Sequence, residues 1–234
     1  MKRQIWVAML PFYLLVGIVV IGAAKWGSEA ETVIGQNLPL ERKYTVIIDP
    51  GHGYPDGGAT SCTGVLESTI NLQIAKRLDD LMHFLGVNTV MIRLTDESVY
   101  TEGESIGEKK VSDLKQRVRI VNETEGAILV SIHQNTFPDR RYGGPQVLYG
   151  MNPQSRELAQ TVQSALKQSL DPLSKRVAKK ASGVYLMEHI NCTGILIECG
   201  FISNPEEEAK LLDDGYQKQL CCVVAAAVTG YLFS

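Results

Sequence analysis

A short apolar, β-branched run dominates residues 44–53, which read YTVIIDPGHG. Residues 46–48 (VII) are typical of a strand that is buried on both faces of a sheet. The DPG triplet at 49–51 ends that strand, because proline donates no backbone hydrogen bond and glycine accommodates a sharp turn. His52 follows directly, and open α/β sheets carry their reactive groups at such strand ends. This stretch alone leaves a second interpretation open, in which the histidine only caps the strand.

Strand and helix patterns alternate along the rest of the chain. We predict further strands at residues 88–93, 127–133, 146–149, 184–187 and 194–198, and helices at 68–85, 112–123, 153–170, 205–212 and 216–232. Residues 54–67 and 95–110 are polar and contain glycine, so they are predicted loops. The alternation predicts a single three-layer α/β domain, with a mostly parallel, twisted sheet of about six strands and helices on both faces.

Composition excludes several classes of protein. The formal net charge of −3 gives no reason to expect nucleic acid as a partner. With 44% hydrophobic and 21% charged residues, the chain is globular rather than disordered. The five cysteines are an odd number and form no CxxC pair, so a disulfide framework is not expected, although one bridge is compatible with the sequence.

The first residues are typical of an export or membrane segment. Residues 5–24 form an uncharged, strongly apolar run of 20 residues, long enough to span a bilayer as a helix. Lys2 and Arg3 precede it, so the positive-inside rule places the rest of the chain outside the cytoplasm. A cleaved signal peptide is the alternative, since the GAA triplet at 22–24 offers a small-residue cleavage site. The expected organisation is an anchor or signal segment at 1–25, a linker at 26–42 and an exported functional domain at 43–234.

Three apolar strands of the predicted sheet end in an ionisable residue. His52 follows the first strand, His133 ends AILVSIH and Glu198 ends GILIE. The carboxyl ends of parallel strands share one edge of the sheet, so these side chains are expected to converge. Glu67 stands where the loop after the first strand meets the next helix, which returns it to the same edge. Two imidazoles and two carboxylates there suggest a catalytic zinc site, which has three protein ligands and can use a further carboxylate as general base.

Each of these residues also has a structural interpretation. His133 could be a hydrogen-bonded core histidine, and Glu67 could stabilise a helix N-terminus as an anion. Glu198 is harder to explain, because a carboxylate after four apolar strand residues is costly to bury without a proton, a partner or a metal. A nucleophilic Cys199 is a rival to the metal site, although strand alternation would turn Glu198 and Cys199 to opposite faces. A non-catalytic binding or scaffold protein of the same fold is a rival from another class.

Three further residues are candidates for supporting the site or binding substrate. Asp49 is close enough in sequence to orient His52. Arg117 could bind a substrate carboxylate bidentately, or could form a structural salt bridge. Asn135 could hydrogen-bond a peptide, or could only shape the turn.

Four segments, in order, resemble the zinc-dependent N-acetylmuramoyl-L-alanine amidases of the Amidase_3 type: IDPGHGYPDGGA, Glu67 ahead of a helix, VSIHQN and ILIECGFISNPEE. The resemblance runs from about residue 43 to the C-terminus. It implies zinc bound by His52, Glu67 and His133, with Glu198 as the catalytic carboxylate. It also implies hydrolysis of the amide between the lactyl group of N-acetylmuramic acid and L-alanine in peptidoglycan. The sequence departs from the usual pattern of this family at Tyr54, Gln134 and Cys199, and none of these residues is an implied ligand.

Two segments are similar to the spore-cortex members, called germination-specific amidases: TEGESIGEKKVSDLKQRVRIVN and SGVYLMEH. In those enzymes, removal of the stem peptide prepares muramic acid for conversion to muramic-δ-lactam. The expected partners are therefore peptidoglycan and, through residues 5–24, the membrane. An accessory protein is conceivable but does not follow from the sequence.

Overall fold

The computed structural model describes residues 44–234, and its framework is one six-stranded sheet. The strands are β1 (Thr45–Pro50), β2 (Thr89–Met91), β3 (Ala127–Asn135), β4 (Gln146–Tyr149), β5 (Lys179–Lys180) and β6 (Thr193–Phe201). They lie in the order β2-β1-β3-β6-β4-β5, and every neighbouring pair is parallel except β4 and β6, which are antiparallel. The prediction of a single α/β domain with a mostly parallel sheet of about six strands is confirmed.

Helices cover both faces of this sheet. Within residues 44–234 they are α1 (Glu67–Phe84), α2 (Ile106–Glu123), α3 (Pro153–Leu170), α4 (Tyr185–His189), α5 (Pro205–Leu212) and α6 (Asp214–Leu232). The predicted helices at 68–85, 153–170 and 205–212 agree with α1, α3 and α5 to within one residue at each end.

Strand alternation divides the core into two layers. In β1, Val46 and Ile48 face the larger layer, which α1, α3 and α6 complete. Ile47, between them, faces a smaller layer completed by side chains from α2 and α4. Because successive strand side chains point to opposite faces, one apolar run supplies both layers. The sheet is therefore buried on both sides, and polar groups concentrate at the carboxyl ends of β1, β3 and β6.

Helix α2 begins at Ile106, six residues before the predicted start, and the prediction of a loop up to residue 110 was wrong there. Ser105 caps the helix: its hydroxyl accepts a hydrogen bond from the backbone N–H of Glu108, whose carboxylate accepts from the backbone N–H of Ser105. This reciprocal pairing is a capping box, which the sequence S-x-x-E signals. Because the residues around Ser105 include glycines and many charges, their pattern predicted a loop instead of the start of a helix.

Two short elements also differ from prediction. Residues 184–187, predicted as a strand, instead begin helix α4 (Tyr185–His189). A strand would point Leu186 and Met187 to opposite faces, whereas the helix buries both in the smaller core layer. Four apolar residues are too few for periodicity to separate the two structures. Strand β5 was not predicted, because its two lysines are exposed and carry no apolar signal.

The N-terminal predictions lie outside the described residues. They concern the membrane or signal segment at residues 5–24 and the linker at 26–42. Within residues 44–234, no helix has the length and apolar character needed to cross a bilayer.

Candidate metal centre

The turn after β1 holds His52 in an unusual backbone conformation. His52 has a φ of 61°, in the left-handed region that few non-glycine residues adopt. Gly51 before it allows a close approach, since a Cβ there would lie 2.2 Å from Cε1 and Nε2 of the His133 ring. The two imidazole centroids are consequently 5.0 Å apart, in an edge-to-face arrangement. The glycine of the DPGH turn is thus a requirement of the site.

Glu67 reaches the same edge as the first residue of α1. The loop before it folds back on the helix, with the backbone N–H of Glu67 donating to the carbonyl of Ala59 at 2.9 Å. Gly58 makes room there, because a Cβ at its φ of +71° would lie 2.6 Å from Oε2 of Glu67 and 2.7 Å from the His52 ring. The loop therefore packs directly against the carboxylate it delivers.

His52, Glu67 and His133 bring three possible metal ligands together. Nε2 of His52 lies 3.3 Å from Oε2 of Glu67, and Nδ1 of His133 lies 3.0 Å from Oε1. One ligand atom from each residue lies within 4.8 Å of the other two. Two imidazole nitrogens and one carboxylate oxygen form a donor set of the kind that catalytic zinc sites use. The residues present therefore fit a zinc ion.

Backbone and amide groups fix the Glu67 carboxylate. The backbone N–H of Ala59 donates to Oε2 at 3.0 Å, and that of Gln134 donates to Oε1 at 3.1 Å. The buried side chain of Asn71 donates to Oε1 at 3.4 Å and to the carbonyl of Gly51 at 3.1 Å. Burial raises the pKa of Glu67, but its hydrogen bonds to His133 and His52 outweigh this and hold the pKa far below the ordinary range. The carboxylate is therefore ionised and held in one orientation.

His52 has a second carboxylate on its other ring nitrogen. Nδ1 lies 3.1 Å from Oδ2 of Asp56, and that oxygen also lies 2.9 Å from Nζ of Lys110. Burial lowers the pKa of His52, but the hydrogen bonds to Asp56 and Glu67 outweigh it and raise the pKa to about 9. Asp56 thus orients the ring in the way that carboxylates behind metal-binding histidines do.

Glu198 lies beside this group on β6. It is paired with His133 in the register between β3 and β6, so the two side chains leave the same face of the sheet. Its Oε2 atom is buried and has no hydrogen-bond partner among the described residues. Burial raises the pKa of Glu198, and the nearby charge of Glu67 raises it further, whereas His133 lowers it. A buried carboxylate oxygen without a partner is costly, so its presence here points to a chemical role.

A buried arginine on α2 holds the turn that carries His52. The side chain of Arg117 is 2% exposed and is paired with both Asp49 and Asp113. It also donates to the carbonyl of Pro50 at 2.9 Å and to that of His52 at 2.6 Å. Asp49 therefore acts on His52 through Arg117, and the structure favours the salt-bridge interpretation of Arg117 over direct contact with a substrate.

A second buried arginine, Arg93, holds the same turn from the other side. It donates to the carbonyls of Pro50 at 2.9 Å, Gly51 at 3.0 Å and Ser68 at 2.8 Å. Burial and the charge of Arg117 lower the pKa of Arg93 to about 10. The two arginines together thus bind the carbonyl groups of Pro50, Gly51 and His52.

The remaining predicted residues take structural positions. The Asn135 side chain accepts a hydrogen bond from the backbone N–H of Thr136 at 2.8 Å, which favours the turn-shaping interpretation. Cys199 is fully buried in the larger core layer, on the face opposite Glu198, and burial raises the pKa of its thiol well above the ordinary value. This placement removes the geometric basis for a cysteine nucleophile.

Three supporting residues were not predicted from the sequence: Asp56, Asn71 and Arg93. Asp56 lies four positions after His52 in a loop, where spacing does not determine side-chain direction. Asn71 lies one helical turn after Glu67, a spacing that places both on one face of α1 and was a usable signal. Arg93 is the last residue of the predicted second strand and reaches the site only through long-range contacts.

Comparison with known proteins gives consistent matches. A family model described as N-acetylmuramoyl-L-alanine amidase matches residues 46–230. The germination-specific N-acetylmuramoyl-L-alanine amidase of Bacillus subtilis (strain 168) is 34% identical over 197 residues, which cover 83% of this chain and 82% of the relative. The N-acetylmuramoyl-L-alanine amidase LytC of the same organism is 27% identical over 190 residues, which cover 80% of this chain and 35% of LytC.

Solved structures agree with these matches. The CwlD amidase of Clostridioides difficile, solved in complex with the GerS lipoprotein, superimposes with a TM-score of 0.78 at 34% identity, over 81% of this chain and 98% of CwlD. The N-acetylmuramoyl-L-alanine amidase AmiC2 of Nostoc punctiforme gives a TM-score of 0.67 at 28% identity, over 82% of this chain and 98% of AmiC2.

Proposed function

We propose that this chain, which belongs to the N-acetylmuramoyl-L-alanine amidase family, is a zinc-dependent peptidoglycan amidase whose site is formed by His52, Glu67, His133 and Glu198. The reaction would hydrolyse the amide between the lactyl group of N-acetylmuramic acid and L-alanine. The observation that carries this assignment is the unpartnered, buried oxygen of Glu198 beside a His-Glu-His group.

A zinc ion held by the three ligands would lower the pKa of a water molecule and polarise the scissile carbonyl. Glu198 accepts a proton from the attacking water, for which its raised pKa suits it. As the carbon–nitrogen bond breaks, Glu198 passes that proton to the departing nitrogen of L-alanine. Water is thus divided between the two products, because its hydroxyl group becomes part of the new carboxyl group and its other proton goes to the amine.

Residues that are not themselves metal ligands hold the three ligands in position. Asp56 orients His52, and Asn71 ties Glu67 to the turn that carries His52. Arg117 and Arg93 fix that turn by its carbonyl groups. These contacts hold His52 in its left-handed backbone conformation.

The spore cortex is the proposed site of action, supported by similarity to the germination-specific amidase of B. subtilis and to CwlD. Removal of the stem peptide would there precede muramic-δ-lactam formation and germination. Residues 43–234 would form the catalytic domain, exported and held at the membrane by residues 5–24. Because CwlD was solved with the GerS lipoprotein, an accessory protein partner is proposed for this chain as well.

Metal analysis of the purified protein, paired with mass spectrometry of digested cortex muropeptides, tests this function. We expect about one zinc ion per chain and release of stem peptides that begin with L-alanine, abolished by a chelator and restored by zinc. Peptide release that survives complete removal of metal would contradict the proposal. Binding of muropeptides without cleavage by fully zinc-loaded protein would support a non-catalytic binding protein instead.

A further inference from the structure

A pair of buried amide side chains lies next to the proposed ligands, between α1 and β3. Asn71 of α1 is fully buried, and Gln134 of β3 is 4% exposed. Along β3, Gln134 continues the series of Val130 and Ile132, which face the larger apolar layer. Burying an amide among apolar side chains is costly unless its polar atoms are hydrogen-bonded, so the partners of these two amides show what they do.

The surroundings of Asn71 determine which way its amide group points. Its Nδ2 atom lies 3.4 Å from Oε1 of Glu67 and 3.1 Å from the carbonyl oxygen of Gly51. An ionised carboxylate and a backbone carbonyl only accept hydrogen bonds, so the NH2 group of Asn71 has to face them. The oxygen of the same amide, Oδ1, consequently points away from the ligands and requires a donor of its own.

Gln134 supplies that donor. Its Nε2 atom donates to Oδ1 of Asn71 at 3.1 Å, whereas its own oxygen, Oε1, is buried and has no hydrogen-bond partner among the described residues. The opposite orientation of the Gln134 amide would bring two oxygens together, so only the observed orientation serves Asn71. Without the Gln134 side chain, no described residue would donate to Oδ1 of Asn71, and a buried acceptor left without a partner is costly.

Gln134 also contacts Cys199 of β6, the third of the positions at which the sequence departs from the usual family pattern. Burial raises the pKa of the Cys199 thiol well above its ordinary value, and a hydrogen bond from Gln134 lowers it in part. Both N–H groups of the Gln134 amide are thus engaged, one by Asn71 and one by Cys199. The amide is therefore held between β6 and α1.

We propose that Gln134 is a positioning residue for the metal centre: its side chain fixes the amide of Asn71, which in turn orients the carboxylate of Glu67. The proposal rests on the zinc site proposed above. The backbone N–H of Gln134 donates to Oε1 of Glu67 as well, at 3.1 Å. Substitution of the side chain leaves that backbone contact available, so a variant tests the side chain alone.

Zinc affinity, measured by competition with a chromophoric chelator, gives a readout that does not depend on turnover. Gln134→Met keeps the length of the side chain but cannot donate to Asn71, so the dissociation constant for zinc should rise by about tenfold, the lower end of the effect of residues that orient metal ligands. Gln217→Met is the matched control. Gln217 is 1% exposed and is hydrogen-bonded to Arg77 at 2.9 Å and to the carbonyl of Leu211 at 2.7 Å, but to none of the proposed ligands. Its replacement should leave the dissociation constant at the wild-type value.

A double variant tests whether Gln134 acts through Asn71. In the Asn71→Ala background, Gln134→Met should raise the dissociation constant by less than about twofold further, because the group that links Gln134 to Glu67 is already absent. A further rise of about tenfold in that background would overturn the proposal.

Circular dichroism of the metal-free proteins shows whether each variant is folded. If Gln134→Met does not fold, Gln134→Leu takes its place, since it also fills the apolar layer and cannot donate to Asn71. A folded variant at Gln134 whose dissociation constant for zinc equals that of the wild type would overturn the proposal. Wild-type protein that binds no zinc would instead contradict the metal site itself.

Discussion

Replacement of Arg117 by methionine should destabilise the protein by about 3–5 kcal/mol, the typical effect of breaking a buried ion pair by removing one partner. Methionine fills a similar volume but leaves the buried carboxylates of Asp49 and Asp113 without their cation. For a domain of this size, about 2–4 °C of melting temperature is lost per kcal/mol, so the midpoint should fall by roughly 6–20 °C. Urea unfolding followed by circular dichroism measures the free energy directly.

Arg119→Met is the matched control on the same helix. The side chain of Arg119 is 63% exposed, and its contact with Glu123 at 3.4 Å is solvent-screened. Such a pair contributes about 0–1 kcal/mol. The double variant Asp49→Asn/Arg117→Met should lose less stability than the two single losses added together, because the pair is coupled. A loss of stability for Arg117→Met no larger than for Arg119→Met would refute the argument that the buried network fixes this turn.

Two further substitutions and one chemical modification test other parts of the structure. Gly51→Ala places a Cβ 2.2 Å from the His133 ring, so the zinc content of this variant should fall. Gly107→Ala is the control, because no atom lies within 4 Å of the added Cβ, and it should bind zinc normally. Metal analysis of both variants checks this. Burial raises the pKa of Asp49, but Arg117 and Ser131 lower it below its ordinary value of 3.8. The stabilisation of the folded state by ionised Asp49 is therefore present above about pH 4 and is lost as the pH falls toward its folded-state pKa. In Asp49→Asn, the free energy of unfolding should consequently depend less on pH in the acid range. Iodoacetamide should alkylate exposed Cys62 and Cys222 but leave peptide release intact, because the Cys199 side chain is fully buried; labelling that reached Cys199 and abolished activity would revive the cysteine mechanism.

The positions of the central residues could be predicted because topology determines them. In a parallel sheet, apolar strand patterns reveal which residues end strands, and strand ends meet at one edge. His52, His133 and Glu198 converge for that reason, although up to 146 positions separate them in the sequence. The alternation of side chains along β6 likewise predicted that Glu198 and Cys199 would face opposite layers.

The supporting network could not be predicted in the same way. Asp56 reaches His52 because of the path of a loop, and loop backbones follow turn geometry rather than periodicity. Arg93 reaches the carbonyl of Pro50 across 43 positions of sequence, a contact for which no local pattern exists. Helix α4 was mistaken for a strand because its apolar segment is shorter than the window in which the two periods differ.

The most direct test of the central claim is the zinc content and turnover of Glu198→Gln, measured on the same preparation. Glutamine preserves the size of the side chain but cannot accept the proton from water. Because Glu198 is not one of the three proposed ligands, we expect wild-type zinc stoichiometry with peptide release reduced by at least about 100-fold. His133→Ala, in contrast, should lose both metal and activity. Peptide release by zinc-loaded Glu198→Gln at a rate near that of the wild type would contradict the proposed role of Glu198.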